Sequence, residues 1–181
     1  MTARFPLATL FAGALSIATA AAAAAADVSM DGGSIAFRVP DDWQPIMQTM
    51  GDPEVQVFRV PDPSPTGGNA LARISVTVKK VGGIDAFEKF VGAAAGKAAR
   101  LADYRASSSS RNSRGMDSAN YTARENGVPF AYSEGYWFED GKAIQLRCVR
   151  PLQSQAGTGW QTRFDQGCQN VAAQIAAKMP H

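Results

Sequence analysis

The chain has 181 residues, with 18 Lys or Arg against 16 Asp or Glu, so its formal net charge is only +2. A balance this close to neutral lacks the basic excess typical of proteins that bind nucleic acid or acidic membranes. The single histidine, His181, is the last residue, which excludes catalytic sites built around a positioned imidazole.

Residues 1–26 have the order of a secretory signal: one positive residue (Arg4), an apolar run, and alanines that offer A-x-A cleavage sites before Asp27. An uncleaved anchor is the alternative, because residues 5–26 are just long enough to cross a bilayer. A proline and a glycine inside the run, and the lack of a positive cluster after it, favour cleavage. We therefore expect a signal peptide, a single mature domain over 27–181, a periplasmic or secreted location and no stable membrane insertion.

Alternating apolar residues predict strands in the first part of the mature chain. Residues 28–39 predict a short hairpin that enters a strand, and residues 41–45 are predicted to form a loop. Residues 55–60 and 70–80 predict two neighbouring antiparallel strands. Three prolines and two glycines between them, in residues 61–68, predict an irregular connection.

A helix is predicted after this strand pair. Asp85 and Glu88 have the spacing of a capping box, and apolar residues recur at steps of three or four from Phe87 to Leu101. Residues 104–125 are polar and serine-rich, which leaves two alternatives open, an exposed strand pair or a flexible tip.

Two hairpin turns follow, at Asn126-Gly127 and Asp140-Gly141, which are the strongest short-range hairpin signals in the chain. Two-residue turns fix the register, and opposite charges then meet across the strands. The predicted pairs are Glu139 with Lys142, Trp137 with Ile144, Gly135 with Leu146, Ser133 with Cys148, Phe138 with Ala143, Glu134 with Arg147, Tyr132 with Val149, and Tyr121 with Tyr132.

The last predicted helix has Cys168 in the middle of an apolar stripe that runs from Trp160 to Ile175. Cysteines of exported chains usually pair, so we predict a disulfide between Cys148 and Cys168. A zinc site is the alternative, and it lacks ligands because two cysteines and a terminal histidine cannot fill a tetrahedral site. We therefore predict no metal site.

No phosphate-binding or dinucleotide-binding glycine motif follows a predicted strand. The nearest paired carboxylates, Asp41-Asp42 and Glu139-Asp140, fall in predicted turns, where acids usually face water. No activated nucleophile or general base can be assembled from these residues. The sequence therefore predicts a protein that is not an enzyme and holds no cofactor.

The order of these features resembles the Mog1/PsbP-like superfamily. The matching pieces are IAFRVPDDW (residues 35–43), the helix from Asp85, the hairpin GYWFEDGKAIQLRC (residues 135–148) and the helix from Trp160. The resemblance implies an α+β fold in which an antiparallel sheet lies between helices, an α/β/α sandwich. Relatives include photosystem accessory subunits, a regulator of a nuclear-transport GTPase, bacterial envelope proteins and chaperones for secreted toxins, which implies binding and not catalysis.

We therefore expect an exported accessory protein that engages another envelope or secreted protein and binds no nucleic acid. Protein interfaces are enriched in aromatic residues, so the predicted docking face is the aromatic face that the two hairpins share, with the loop over 61–68 beside it. The residues predicted for this face are Tyr121, Tyr132, Tyr136, Glu134 and Arg147. Whether it is exposed or covered by the first helix is left open.

Two alternative functions stay open beside this expectation. An immunity protein or chaperone for a secreted toxin would suit the compartment and the fold. A carrier of a small apolar ligand would be favoured by a pocket between sheet and helix lined by Trp43, Phe37 and Trp160.

Overall fold

The computed structural model describes residues 25–111 and 117–179, which form nine strands and three α-helices. The strands are β1 (Ala25–Met30), β2 (Ile35–Pro40), β3 (Gln44–Thr49), β4 (Glu54–Arg59), β5 (Arg73–Lys80), β6 (Ala102–Arg111), β7 (Asp117–Glu125), β8 (Val128–Glu139) and β9 (Lys142–Pro151). The helices are α1 (Thr66–Asn69), α2 (Ile84–Ala98) and α3 (Gly157–Ala177).

Seven of the strands form one sheet in the order β3-β4-β5-β9-β8-β7-β6, and every neighbouring pair in it is antiparallel. Strands β1 and β2 form a separate antiparallel hairpin. The predicted α+β class with a large antiparallel sheet is therefore confirmed.

The two tight turns set the register of the central strands. Asn126 and Gly127 have φ angles of 49° and 83°, and Asp140 and Gly141 have 46° and 70°, as a type I′ turn requires. The predicted cross-strand pairs are all observed, among them Glu134 opposite Arg147. Side chains on β7, β8 and β9 therefore point to the faces that the sequence predicts.

One face of the sheet is covered by α3 and the β1–β2 hairpin, and it carries the main apolar core. Residues of α3 at helical spacing enter this core, as the apolar stripe predicts. They are Trp160, Phe164, Cys168, Val171 and Ile175.

The opposite face is covered by α2 and carries two smaller apolar clusters. Helices on both faces confirm the predicted α/β/α arrangement. The predicted capping box is wrong in detail, because Gly83 is the N-cap residue and no side chain caps the helix. Asp85 lies two positions after the N-cap, inside the first turn, where a negative charge interacts favourably with the helix dipole.

The structure corrects or refines the predictions for three segments. The predicted loop over 41–45 is wrong at its end, because β3 begins at Gln44 and forms an edge strand that no alternation of apolar and polar residues indicates. The connection 61–68 contains the start of a single helical turn, α1. Residues 102–111 and 117–125 form a strand pair, which decides between the two alternatives for the described part of that region.

The predicted signal peptide lies outside the described residues except for its last two. Ala25 and Ala26 pair with Pro40 and Val39 at the start of β1. Cleavage after residue 26, and with it the boundary of the mature domain, stays a prediction.

The predicted disulfide is present between Cys148 on β9 and Cys168 on α3, with their Cα atoms 6.3 Å apart. It joins residues separated by 20 positions and ties the last helix to the centre of the sheet. Both cysteines are buried in the main core. A bond in this place limits how far α3 separates from the sheet when other contacts fluctuate.

Replacing both cysteines, Cys148→Ala with Cys168→Ala, is expected to lower the free energy of unfolding by about 3 kcal/mol, because the unfolded chain loses a constraint on a loop of this length. Urea unfolding of the mature protein measures the change. The parent chain, refolded in reductant, keeps the sulfur volume and should lose a similar amount. An unchanged unfolding midpoint in both samples would contradict the stabilising role.

A second stability prediction concerns the contact between α3 and Trp43. A Cβ atom built on Gly167 would lie 2.6 Å from Cζ2 of Trp43, closer than packed atoms approach. Gly167→Ala is therefore expected to destabilise the fold by about 1–3 kcal/mol. Gly159→Ala in the same helix, where the new methyl would meet only the Arg163 guanidinium at 3.8 Å, should be neutral or stabilise by up to about 1 kcal/mol. Equal effects of the two substitutions in urea unfolding would contradict the close packing.

Candidate functional site

The five residues predicted for docking lie together on the α2 face of the sheet. Tyr121 is on β7, Tyr132, Glu134 and Tyr136 are on β8, and Arg147 is on β9. The antiparallel pairing places Tyr121 beside Tyr132 and Glu134 beside Arg147. The structure thus brings together all the residues that the sequence groups.

The Glu134 carboxylate is the centre of this group. Its Oε1 accepts a hydrogen bond from the Tyr121 hydroxyl at 2.7 Å and from Nε of Arg147 at 2.5 Å. Its Oε2 accepts from the Tyr136 hydroxyl and, at 3.4 Å, from Nε2 of Gln145. Donors from three adjacent strands therefore satisfy one buried charge.

A second carboxylate, Glu125, extends the network at the end of β7. It accepts hydrogen bonds from Nη2 of Arg73 at 2.8 and 2.9 Å and from the Tyr132 hydroxyl at 2.6 Å. The Tyr121 and Tyr132 rings stack with centroids 4.5 Å apart, which joins the two groups. Glu125 and Arg73 were not predicted, because they meet only through the strand order β5-β9-β8-β7, which no local pattern indicates.

Burial and the adjacent carboxylates raise the pKa of the three tyrosines. Removal from water raises the pKa of Tyr121 and of Tyr136, and the nearby charge of Glu134 raises each further. Burial and Glu125 do the same to the pKa of Tyr132. Burial alone would raise the pKa of Glu125, but its bonds from Tyr132 and Arg73 outweigh that effect and lower it.

The structure shows this face covered and not exposed. Tyr121, Tyr132, Glu134 and Tyr136 are each at most 3% exposed, whereas the Arg147 side chain is 32% exposed. The sequence left these two arrangements open, and packing beneath α2 and its following segment is the one observed. Contact of a macromolecular partner with the buried four requires α2 to move away, so docking by this set stays a prediction.

The most exposed apolar surface lies elsewhere, on the segment formed by β3 and the two residues after it, residues 44–51, which we call the β3 edge. All six residues of β3 are exposed. Among the six large apolar side chains that the described residues expose, three belong to this segment: Ile46 at 48%, Met47 at 49% and Met50 at 75%. The segment carries no charged residue. That run of uncharged sequence was the signal available for it.

A cleft of about 280 Å³ lies between α2 and strands β6 to β8, and we call it the α2 cleft. Val91, Ala95 and Ala98 of α2 form one wall. Glu134 and the tyrosines bound to it line the side formed by the sheet.

Two of the three residues predicted to line a ligand pocket, Trp43 and Trp160, do line one cleft. A cleft of about 660 Å³ is lined by Trp43 and Trp160, together with Arg163 and Phe164, and we call it the indole cleft. Phe37 is not among its lining residues and is buried in the main core. The Trp160 indole donates a hydrogen bond to the Pro61 carbonyl at 2.8 Å, so its polar atom is already occupied.

Residues 25–111 and 117–179 contain no group of three or more His, Cys, Asp or Glu side chains placed to hold a metal ion. None of the helices in those ranges combines the length and the apolar character that crossing a bilayer takes.

No family model matches the chain, and no curated protein matches its sequence. Solved structures do match. LpqN, described as involved in cell envelope biogenesis of Mycobacterium tuberculosis, is 18% identical and has a TM-score of 0.52 over 82% of this chain and 87% of its own. The cyanobacterial PsbP (CyanoP) of Synechocystis is 15% identical and has a TM-score of 0.53 over 86% of this chain and 95% of its own. The chain has the Mog1/PsbP-like fold. This confirms the resemblance that the sequence indicates, at the level of the fold.

The raised pKa values of the tyrosines predict how stability changes in alkali. The folded chain holds three hydroxyl protons that the unfolded chain releases near pH 10, so their contribution is fully present below about pH 10 and is lost as the pH rises above it. Urea unfolding at a series of alkaline pH values should show a falling midpoint. The near-ultraviolet absorbance of tyrosinate should rise for these three residues only when the chain unfolds. Full ionisation of all four tyrosines in the still-folded protein would contradict the buried network.

Proposed function

We propose that the protein is an exported, non-catalytic accessory protein that binds another envelope protein through the β3 edge. Export is supported by the predicted signal and by the disulfide, a bond that persists in oxidising compartments. The description of LpqN as a protein of cell envelope biogenesis supports the same setting. Neither solved structure is described as an enzyme.

The observation that carries the proposal is the exposed, uncharged β3 edge at one end of the sheet. An edge strand presents unpaired backbone groups, and natural proteins usually protect such edges with charges, prolines or bulges. Here Pro45 and an irregular register between Pro45 and Met47 protect only the first part of the strand. The part from Met47 to Thr49 has neither a charge nor a proline.

The opposite edge of the sheet differs in this respect. Strand β6 carries Asp103, Arg105 and a run of four serines, Ser107 to Ser110, and these residues are exposed. Charged and small polar side chains make an edge a poor template for another strand. The two ends of one sheet therefore differ in chemistry, and β3 is the end suited to a partner.

The partner that fits is an extended segment of an exported protein, added as a further strand beside β3. Main-chain hydrogen bonds supply the affinity in this mode of binding, and alternate side chains supply the specificity. Because Ile46, Met47 and Met50 are apolar and no charge lies among them, the added segment is expected to place uncharged apolar side chains next to them.

A photo-crosslinking amino acid at Gln48 tests this proposal in cells that export the protein. The matched position is Ser109, which is also exposed but lies on the β6 edge. We expect one defined adduct from Gln48 and none from Ser109, because only the β3 edge is suited to strand addition.

Two charge variants complete the test. Ile46→Lys with Met47→Lys should remove the adduct, because two charges replace the apolar contact. Ile84→Lys, at a residue of equal exposure (50%) on α2, should retain it. An adduct that survives the β3 substitutions, appears equally from Ser109, or has the mass of two copies of this chain would contradict the proposal.

A further inference from the structure

The apolar residues beneath α2 form two separate clusters, and residues of both clusters line the α2 cleft. One cluster is formed around Phe87 and Tyr136, and the other around Ala98 and Tyr121. Ala95 of α2 lines the cleft at an exposed position, and its side chain is too short to fill the space. The gap of about 280 Å³ is larger than the apolar cavities of about 150 Å³ that hold a single benzene ring.

The side of the cleft formed by the sheet is polar and already ordered. The Tyr121 hydroxyl donates its proton to Glu134, which leaves its oxygen able to accept one. The Tyr136 hydroxyl donates to Glu134 and accepts from Nε2 of Gln145 at 3.2 Å. A molecule in the cleft therefore meets the Tyr121 oxygen as a buried acceptor beside the Glu134 network.

The described lining of the cleft offers no cationic partner to an anion. Its described lining includes two carboxylates, Asp117 and Glu134, and no basic side chain. Arg147, the nearest cation to Glu134, is already bonded to that carboxylate. The wall formed by Val91 and Ala95 is apolar, so a fully charged ligand of either sign would lose hydration without a matching partner there.

The geometry points to a second binding function: the α2 cleft is a site for a compact, uncharged, mainly apolar molecule of one or two rings that carries a hydrogen-bond donor. The apolar wall receives the rings, and the Tyr121 oxygen accepts the donor. An apolar cavity with a few convergent polar groups is the usual form of a small-molecule site. This function is separate from protein binding at the β3 edge.

The indole cleft is less suited to such a ligand although it is larger. The N–H of its Trp160 indole is taken by the Pro61 carbonyl, and Asp41, Asp42 and Arg163 lie along the cleft. The α2 cleft, by contrast, combines a buried acceptor with a wall of small apolar side chains.

Three probes of one size test the site in purified mature protein by calorimetric titration at neutral pH. 2-Naphthol has the rings and the donor, 2-methoxynaphthalene lacks the donor, and 2-naphthoate is an anion. We expect saturable one-to-one binding of 2-naphthol. 2-Methoxynaphthalene should bind about 3- to 10-fold more weakly, the value of one neutral hydrogen bond. 2-Naphthoate should bind at least about tenfold more weakly, because its charge loses hydration against an apolar wall and finds no basic side chain in the described lining.

Paired variants locate the binding. Ala95→Leu fills the cleft and should weaken 2-naphthol binding at least about tenfold, since the added carbons occupy the ligand's space. Ala93→Leu makes the same change at an exposed residue of α2 outside the lining and should leave binding unchanged. Tyr121→Phe keeps the ring and removes the acceptor, so it should equalise the affinities for 2-naphthol and 2-methoxynaphthalene. Circular dichroism checks that each variant is folded.

Absence of saturable 2-naphthol binding would overturn the inference, and so would equal effects of the two leucine variants or tightest binding of 2-naphthoate. The charge variants at Ile46 and Met47 distinguish failure of this inference from failure of the proposed function. They lie on the opposite edge strand and should leave 2-naphthol binding unchanged. Loss of the β3 adduct and loss of probe binding are therefore independent results.

Discussion

The buried carboxylate of Glu134 is the constraint on which the α2 face depends. An ionised carboxylate removed from water costs several kcal/mol unless hydrogen bonds and an opposite charge compensate it. Here the compensation comes from Tyr121 on β7, from Tyr136 on β8, the strand of Glu134 itself, and from Gln145 and Arg147 on β9. The burial of one charge thus requires three strands in one register.

The two type I′ turns provide that register. A slip of one residue in either hairpin would carry Tyr121 or Arg147 to the other face of the sheet and leave Glu134 without a donor. Local turn chemistry and the buried network therefore favour the same pairing, which is the agreement between local and global preferences expected of a well-specified fold. The disulfide acts on the other face, where it ties α3 to β9.

Much of this architecture follows from local sequence signals. The dipeptides Asn126-Gly127 and Asp140-Gly141 determine the central pairing, and the stripe through Cys168 determines which side of α3 is buried. Strand β3 was missed because it is exposed on both faces, so it has no apolar alternation to detect.

The candidate sites were less accessible to sequence reasoning. The aromatic face was grouped correctly, but its burial depends on where α2 packs, and no spacing in the sequence contains that information. The pairing of Arg73 with Glu125 spans 52 positions and follows only from the strand order. The α2 cleft arises where two clusters fail to meet, which is a property of packed volumes and not of a motif.

The β3 edge and the α2 cleft lie towards opposite ends of the sheet, on β3 and on β6 to β8. Strand β9, which carries Cys148 of the disulfide, lies between them, whereas Glu134 of the buried network lines the α2 cleft itself. The two ends of the sheet therefore present surfaces of different chemistry. An extended partner segment and a small molecule in the cleft would not compete for space.

A double-mutant cycle on Glu134→Gln and Arg147→Met, measured by urea unfolding, tests the organising role of the buried carboxylate most directly. The two side chains act as one unit in this account. The predicted result is therefore a coupling free energy of at least about 1.5 kcal/mol, within the range of directly interacting residues. Additive effects, within about 0.5 kcal/mol, would contradict the account.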